Sequence, residues 1–448
     1  MTRHLRSDRA ICSLAAFLII GLASPPVRAD AQGSASGQAG VLTLGTVYRQ
    51  VQAANPRLAA AGAQARAAEA RIAPARRPPD PQLQFGLMNR SLPGFGLSEP
   101  LGMNQIQVMQ MVPFPGKLGL AGRVASEQAD AQRGRAADVA WDVRAQAAMA
   151  YYEIYQMDRS LVVARETLRL LRDLAETART MYAVGEGRQA DVLRAQVELA
   201  RMEEEITRME VERVSAAARL NALLGRGAEM PVATPVLPAF PATLPPLDSL
   251  VREAEAQRPM VKAGEAEVRA ADAGVRLARR EIWPDFEVGV QYGQRPMEGG
   301  MTDRMLSLMV GVNVPIFAGS RQLAMRREAE AMREMAAADL EAMRADTRGR
   351  VASLYAAVQR SQRLAALYRK TVLPQSEATV ASALAAYRVG SVDFMTLLDN
   401  QMTVNQYRQA LYTLEAEEGR ALAELEMLLG RELLDPDSTA LASGDKAQ

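Results

Sequence analysis

The sequence predicts a mainly α-helical chain with a smaller β component, built as a tandem duplication of one helix, hairpin and long-helix unit. Three observations carry this. Short motifs recur in one order at a nearly fixed offset: Asn55-Pro56 with Arg258-Pro259, Phe114-Pro115-Gly116 with Phe317-Ala318-Gly319, Tyr182-Ala183-Val184-Gly185 with Tyr387-Arg388-Val389-Gly390, and Leu223-Leu224-Gly225-Arg226 with Leu428-Leu429-Gly430-Arg431. The run from Gly116 to Tyr182 contains no proline, which allows a helix on the order of 100 Å long. Two pairs of short segments alternate apolar and polar residues with period two.

The chain opens on an export signal. Arg3, Arg6 and Arg9 form a positive segment, Ala10 to Ala23 an apolar stretch too short to span a bilayer, and Val27-Arg28-Ala29 a small-residue cleavage pattern. Residues 1–29 are expected to be removed, so the mature chain starts near Asp30. The single cysteine, Cys12, and the single histidine, His4, leave with it. No lipobox surrounds a cleavage point, so no lipid anchor is expected. Without His or Cys, Ser-His-Asp and Cys-His nucleophiles and His/Cys zinc sites are excluded. Neither an enzyme, a cofactor nor a resident metal site is expected. Lys plus Arg is 53 and Asp plus Glu 52, which leaves no net field to recruit nucleic acid. No later segment has about 18 consecutive apolar residues, the length of a membrane helix. Export without such an anchor or disulfides points to the periplasm or the outer membrane.

The first repeat covers 30–226, a linker rich in proline 227–248, the second repeat 249–431 and a tail 432–448. Strands are expected within about 82–112 and 285–314, and long helices within about 116–224 and 320–429. The strand runs are Gln82 to Leu87, Gln105 to Val108, Asp285 to Tyr292 and Ser307 to Val314, with the alternation interrupted after Val108 by Met109-Gln110-Met111. Each pair encloses a loop rich in Gly, Pro and Met, Asn89 to Met103 and Gln294 to Arg304. One reading is a soluble sheet with its apolar face on a core; the other is part of a membrane barrel with outward loops. The second is favoured, because the flanking helices leave little to cover the apolar face. Four strands do not close a barrel, and an open edge in lipid leaves backbone groups unpaired at several kcal/mol each. The barrel is therefore shared between subunits, eight strands in a dimer or twelve in a trimer.

After each hairpin comes a long helix, a glycine turn and a returning helix. Leu168, Leu171, Ala175, Ala178 and Tyr182 recur at three-four spacing and form a packing seam. The turn at Gly185 to Gly187 reverses the chain into Asp191 to Leu224. The second repeat follows from Ser320 to Tyr387, turns near Gly390 and returns through Leu429. There Pro374 stands where the first repeat has Arg169, so a kink or bulge is expected.

The sequence resembles the TolC family of outer-membrane efflux proteins over essentially the whole mature chain. The duplication carries the resemblance together with two motif pairs. These are the strand-to-helix turns Val112-Pro113-Phe114-Pro115-Gly116-Lys117 and Val314-Pro315-Ile316-Phe317-Ala318-Gly319, and the helical tips Tyr182 to Leu193 and Tyr387 to Asp399. The resemblance implies a homotrimer with a twelve-stranded outer-membrane barrel, four strands per protomer, continuous with a long periplasmic helical barrel. It implies docking of the tips on a periplasmic adaptor linked to an inner-membrane pump of the RND type. Tyr182, Gly185, Val192, Leu193, Tyr387, Gly390, Leu397 and Leu398 are the expected docking-tip residues. Val192, Leu193, Leu397 and Leu398 would either contact neighbouring helices and adaptor hairpins or only pack their own hairpin. Asp191, Tyr387 and Asp399 are the expected periplasmic gate residues. The arginine of the family's gate falls on Val392 here, and Arg188 or Arg388 would have to substitute.

Methionine is frequent, 23 of 448, and several fall on the expected strands and loops: Met88, Met103, Met109, Met111, Met297, Met301, Met305 and Met309. Thioether sulfur suits Cu(I), and by analogy Ag(I), although Met is also a common gap-filler. The motifs look closest to the heavy-metal branch of the family, which makes copper or silver efflux the leading expectation for cargo. A channel for drugs or exported proteins keeps the same fold. A periplasmic coiled-coil adaptor is the other class of alternative, and would be a soluble monomer.

Overall fold

The computed structural model describes residues 41–89, 102–296 and 301–438. The expected signal peptide, most of the first hairpin loop, Met297 and the end of the tail lie outside the described residues. Among them no helix is long and apolar enough to cross a membrane.

Both repeats open on a helix broken by proline. In the first, α1 (Leu44–Ala54) gives way to α2 (Pro56–Ala70) and a short α3 (Ile72–Ala75); then come β1 (Gln82–Met88), β2 (Met103–Val112), α4 (Lys117–Ala183) and α5 (Gln189–Leu223). In the second, α6 (Leu247–Gln257) gives way to α7 (Pro259–Arg280), followed by β3 (Asp285–Pro296), β4 (Thr302–Asn313), α8 (Gln322–Leu367), a π-helical turn (Tyr368–Val372), α9 (Leu373–Arg388) and α10 (Phe394–Leu429).

The breaks and the returning helices explain one another. Pro56 starts α2 where its missing N–H costs nothing. Asn55 caps that helix by accepting from the Arg57 N–H at 2.9 Å, and donates to the Leu223 carbonyl at the end of α5 at 2.8 Å. Gly225 and Gly430 end the returning helices against these breaks. A methyl group on Gly225 would lie 2.9 Å from the Ala54 carbonyl oxygen, and one on Gly430 3.2 Å from that of Gln257. The repeated Leu-Leu-Gly-Arg and X-Pro motifs are thus two sides of one contact.

The alanine-rich α4 packs against α5, α7 and α10. Its Tyr151, Tyr152 and Ile154 are fully buried with Leu44 and Val47 of α1 and Leu220 of α5. The Tyr151 hydroxyl donates to a carbonyl of Leu42 or Val236 and accepts from the Val236 N–H at 3.0 Å, which pins the linker to the start of the chain. The expected seam is buried at Leu168, Leu171 and Ala178 but ends short of Tyr182, which is exposed. The expected bulge stands immediately before Pro374. Proline has no N–H and its ring opposes the carbonyl four residues back. The chain widens there, with the Leu373 N–H reaching the Tyr368 carbonyl, five residues back.

The strands form one antiparallel sheet in the order β1-β2-β3-β4. The interrupted alternation at Met109-Gln110-Met111 does not end the strand: β2 pairs with β3 through Val112. Nor is Gln294 to Arg304 all loop: Gln294 pairs with Arg304, Arg295 with Asp303 and Pro296 with Thr302. Ladder hydrogen bonds extend this hairpin beyond the alternating apolar run, because backbone pairing does not need apolar side chains to continue.

The Pro-Phe-Pro-Gly-Lys turn locks sheet to helix. Lys117, buried at the first turn of α4, donates to Asp285 Oδ1 at 2.8 Å and to the Trp283 carbonyl at 3.0 Å. Asp285 Oδ1 also accepts the Phe114 N–H at 2.8 Å, and the Phe114 and Trp283 rings stack at 5.2 Å. The first repeat's turn is thereby clamped onto the start of β3. Removing one partner leaves a carboxylate and a carbonyl short of a donor in a largely buried place. Lys117→Ala should therefore destabilise the protein by about 2–4 kcal/mol, read as a lower unfolding midpoint in detergent; an unchanged midpoint would refute the clamp.

Candidate functional site: the sheet wall and the helical tip

Register divides the side chains of the sheet into two unlike faces. Leu83 pairs with Val108 and Phe85 with Ile106; Val108 pairs onward with Val290, and Val290 with Leu308. Every Leu, Ile, Val, Phe and Tyr of the four strands lies on this face. Nothing among the described residues covers it: Phe85 is 73% exposed and Leu306 76%. Asn104, Gln294 and Arg304 bound the apolar band on the loop side. From Leu306 to Val312 the band runs roughly 20 Å along the strand, which suits the hydrocarbon band of a tilted-strand membrane barrel. The polar exception is Gln110 near the helical end, whose amide donates to the Pro79 and Met111 carbonyls at 2.7 and 2.8 Å. The opposite face carries glutamines, Ser307, the charged Asp285, Glu287, Arg295 and Asp303, glycines and methionines. The outer edges of β1 and β4 have no strand partner among the described residues.

At the far end of the helices, Gly185 and Gly390 adopt φ of +83° and +72°, the left-handed turn expected of them. The two tips are otherwise unlike. Tyr182 and Leu193 are exposed and Val192 is half-buried. Tyr387, 6% exposed, packs its ring 5.7 Å from Phe394, and Leu397 and Leu398 lie beneath them in one cluster. Of the expected docking residues, Tyr387, Leu397 and Leu398 are therefore buried in a cluster that joins α9 and α10 to α4 and α5. Besides Tyr182 and Leu193, the apolar residues that protrude there are Val184 and Val389, 65% and 78% exposed, directly before the turn glycines. Sequence reading passed over them, although the repeated Val-Gly was the available signal.

The expected gate residues are only partly brought together. Asp191 lies near enough to Tyr387 for its charge to act there: burial raises the tyrosine's pKa, and the Asp191 charge adds to the rise. The Tyr387 hydroxyl is buried with no hydrogen-bond partner among the described residues. Asp399 sits on the exposed side of α10, and Val392 at the family's arginine position is half-buried. Arg188, at the cap of α5, instead puts its charge beside Asp393. Asp393 caps α10 by accepting from the Thr396 N–H at 2.9 Å.

Bonds from the Thr396 hydroxyl and N–H, with the Arg188 charge, hold the Asp393 carboxyl below its ordinary value. Its contribution to the tip is complete above the unfolded-chain value, near 4, and is lost as pH falls through the lower folded one. Asp393→Asn keeps an acceptor at the cap and should flatten that acid dependence, measured by hydrogen exchange of α10 amides between neutral pH and about pH 3; an identical acid response in both chains would refute it.

A family model described as outer membrane efflux protein matches residues 47–226 and 250–431. The chain is 24% identical over 397 residues to the cobalt-zinc-cadmium resistance protein CzcC of Cupriavidus metallidurans, covering 88% of this chain and 91% of that one. It is 26% identical over 400 residues to the pyoverdine export outer membrane protein OpmQ of Pseudomonas putida, covering 83% and 82%. Among solved structures, CusC, described as forming a transmembrane channel, superposes with a TM-score of 0.75 at 19% identity over 87% of this chain and 92% of that one.

Proposed function

The chain belongs to the outer membrane efflux protein family, and from that membership we propose that it forms the outer-membrane channel of a tripartite efflux system for heavy-metal cations. The observation that carries the reading is the sheet: an uncovered apolar face bounded by two unpaired edges. Three copies close twelve strands, with β4 of one copy antiparallel to β1 of the next, and turn the apolar face to lipid. Leu193 and Val197, and farther along Val211 and Val214, are two exposed apolar pairs on one side of α5, further surface for a neighbouring copy. Val184 and Val389, with Tyr182 and Leu193, offer the apolar tip to a periplasmic adaptor fed by an inner-membrane pump of the RND type. Asp191 and Tyr387 take part in closing that end, the Asp191 charge acting on the buried Tyr387. The likeness to CzcC supports metal as cargo; the likeness to OpmQ supports a siderophore channel as the alternative.

Because Cys12 is the one cysteine and lies in the expected signal, engineered cysteines report cleanly on assembly. A scan of single cysteines on β1 against single cysteines on β4 should give disulfide-linked dimers and trimers and no larger ladder; only monomers at every pair would sink the shared barrel. Deletion of the gene should lower tolerance to metals in a panel of copper, silver, zinc, cobalt and cadmium, and the wild-type gene should restore it. A Val184→Asp/Val389→Asp chain that assembles equally well should not. Unchanged metal tolerance with new sensitivity to drugs or impaired siderophore export would overturn the cargo.

A further inference from the structure

The methionines of the sheet are distributed in a way that packing does not explain. Met88, Met103, Met109, Met111, Met305 and Met309 all lie on the face opposite the apolar band, while every other apolar side chain of the strands lies on the band. A thioether used as filler belongs with Leu and Val; here it partitions with the glutamines. That face buries no core, so no void requires filling.

Two glycines of β3 shape the arrangement. Gly289 pairs with Met109 on one side and Met309 on the other, and a methyl group there would stand 3.2 Å from Met109 Cγ and 3.5 Å from Met309 Cε. Gly293 pairs with Met305, and a methyl group there would meet Met103 Sδ at 3.1 Å. The bare backbone leaves room for Met109 and Met309 over Gly289 and for Met103 over Gly293, beside its register partner Met305. The two clusters stand four residues apart along β3, roughly 13 Å, with Gln107, Gln291 and Ser307 between them.

We propose that this face is a ladder of weak thioether sites for soft monovalent cations, Cu(I) and Ag(I), lining the channel's lumen. The proposal rests on the reading of the chain as a metal-efflux channel and names which metals its wall is built for. Neutral thioethers favour soft cations over the harder Zn²⁺ and Co²⁺. Among the described residues there is no group of three or more His, Cys, Asp or Glu placed to hold a metal ion. A passive conduit needs sites that are favourable to enter, easy to leave and repeated along the path. A pair of uncharged sulfurs at each of two heights, copied around a trimer, meets all three conditions.

The test compares the wild-type trimer with Met103→Leu/Met109→Leu/Met305→Leu/Met309→Leu, which keeps side-chain size and removes sulfur. Both are dialysed to equilibrium against silver nitrate or zinc nitrate in chloride-free detergent buffer, and bound metal is counted. Methionines within the helices, such as the fully buried Met202, are common to both chains, so the difference reports on the sheet. The wild type should take up Ag⁺ and leave Zn²⁺, and the variant should hold Ag⁺ at least roughly tenfold more weakly. Equal Ag⁺ uptake by both, or none by the wild type, overturns the ladder. If the full set does not assemble, Met109→Leu/Met309→Leu alone is measured against the same criterion. The gene-deletion panel separates the two levels: metal tolerance restored by the wild type with no Ag⁺ held by the wall sinks the ladder and leaves the channel. Ag⁺ held by the wall in a strain whose tolerance does not depend on the gene sinks the efflux reading instead.

Discussion

An unpaired strand edge is what the rest of this molecule has to accommodate. Among the described residues the sheet ends at β1 and β4, and its apolar face is bare. In water the edges would be hydrated and the face would be the defect; in hydrocarbon the face is satisfied and the edges become the defect, at several kcal/mol for each unpaired group. No arrangement of one chain removes both. Copies joined edge to edge remove both at once, and an even number of strands per chain keeps every new pair antiparallel. The brevity of the hairpins follows: each needs only to cross the hydrocarbon, because closure comes from number.

The same constraint explains why a duplicated chain has not stayed symmetric. Where the repeats touch within one chain, residues have specialised. Lys117 reaches Asp285 in the other repeat, whereas its counterpart Ser320 has no charge, and Ile316 and Phe317 of the second turn are exposed. Tyr387 is buried against Phe394 while Tyr182 stands in the open. Pro374 forces a π-helical turn that uninterrupted α4 lacks. In a closed ring each repeat meets its own partner repeat on one side and another chain on the other, so its two flanks face different surfaces and their residues diverge.

What the sequence made legible follows the same physics. Helix length was plain, because Pro115-Gly116 opens the run and the turn glycines close it: the expected run Gly116 to Tyr182 and α4 differ by one residue at each end. The turn glycines were plain because positive φ narrows the choice of residue. Burial at the tip was not. Leu397, Leu398 and Leu193 are alike as sequence, and only the packing of α9 and α10 against α4 and α5 puts the first two inside and the third outside. Nor was the reach of the second hairpin, since Gln294 to Arg304 extends the ladder through backbone bonds that leave no apolar trace.

The misread stretch Met109-Gln110-Met111 is the most instructive. It looked like a broken alternation only because methionine was counted with the apolar residues. Period two through β2 is intact once Met109 and Met111 are assigned to the polar face, and Gln110 is then the single residue out of place. It is tolerated because its amide donors are met by the Pro79 and Met111 carbonyls beside the helical junction, away from the middle of the band. A membrane strand sorts its side chains by what they face, and this one sorts thioether with amide. Lipid would accept methionine as readily as leucine, so its consistent absence from the lipid-type face has to be explained by what methionine does on the other.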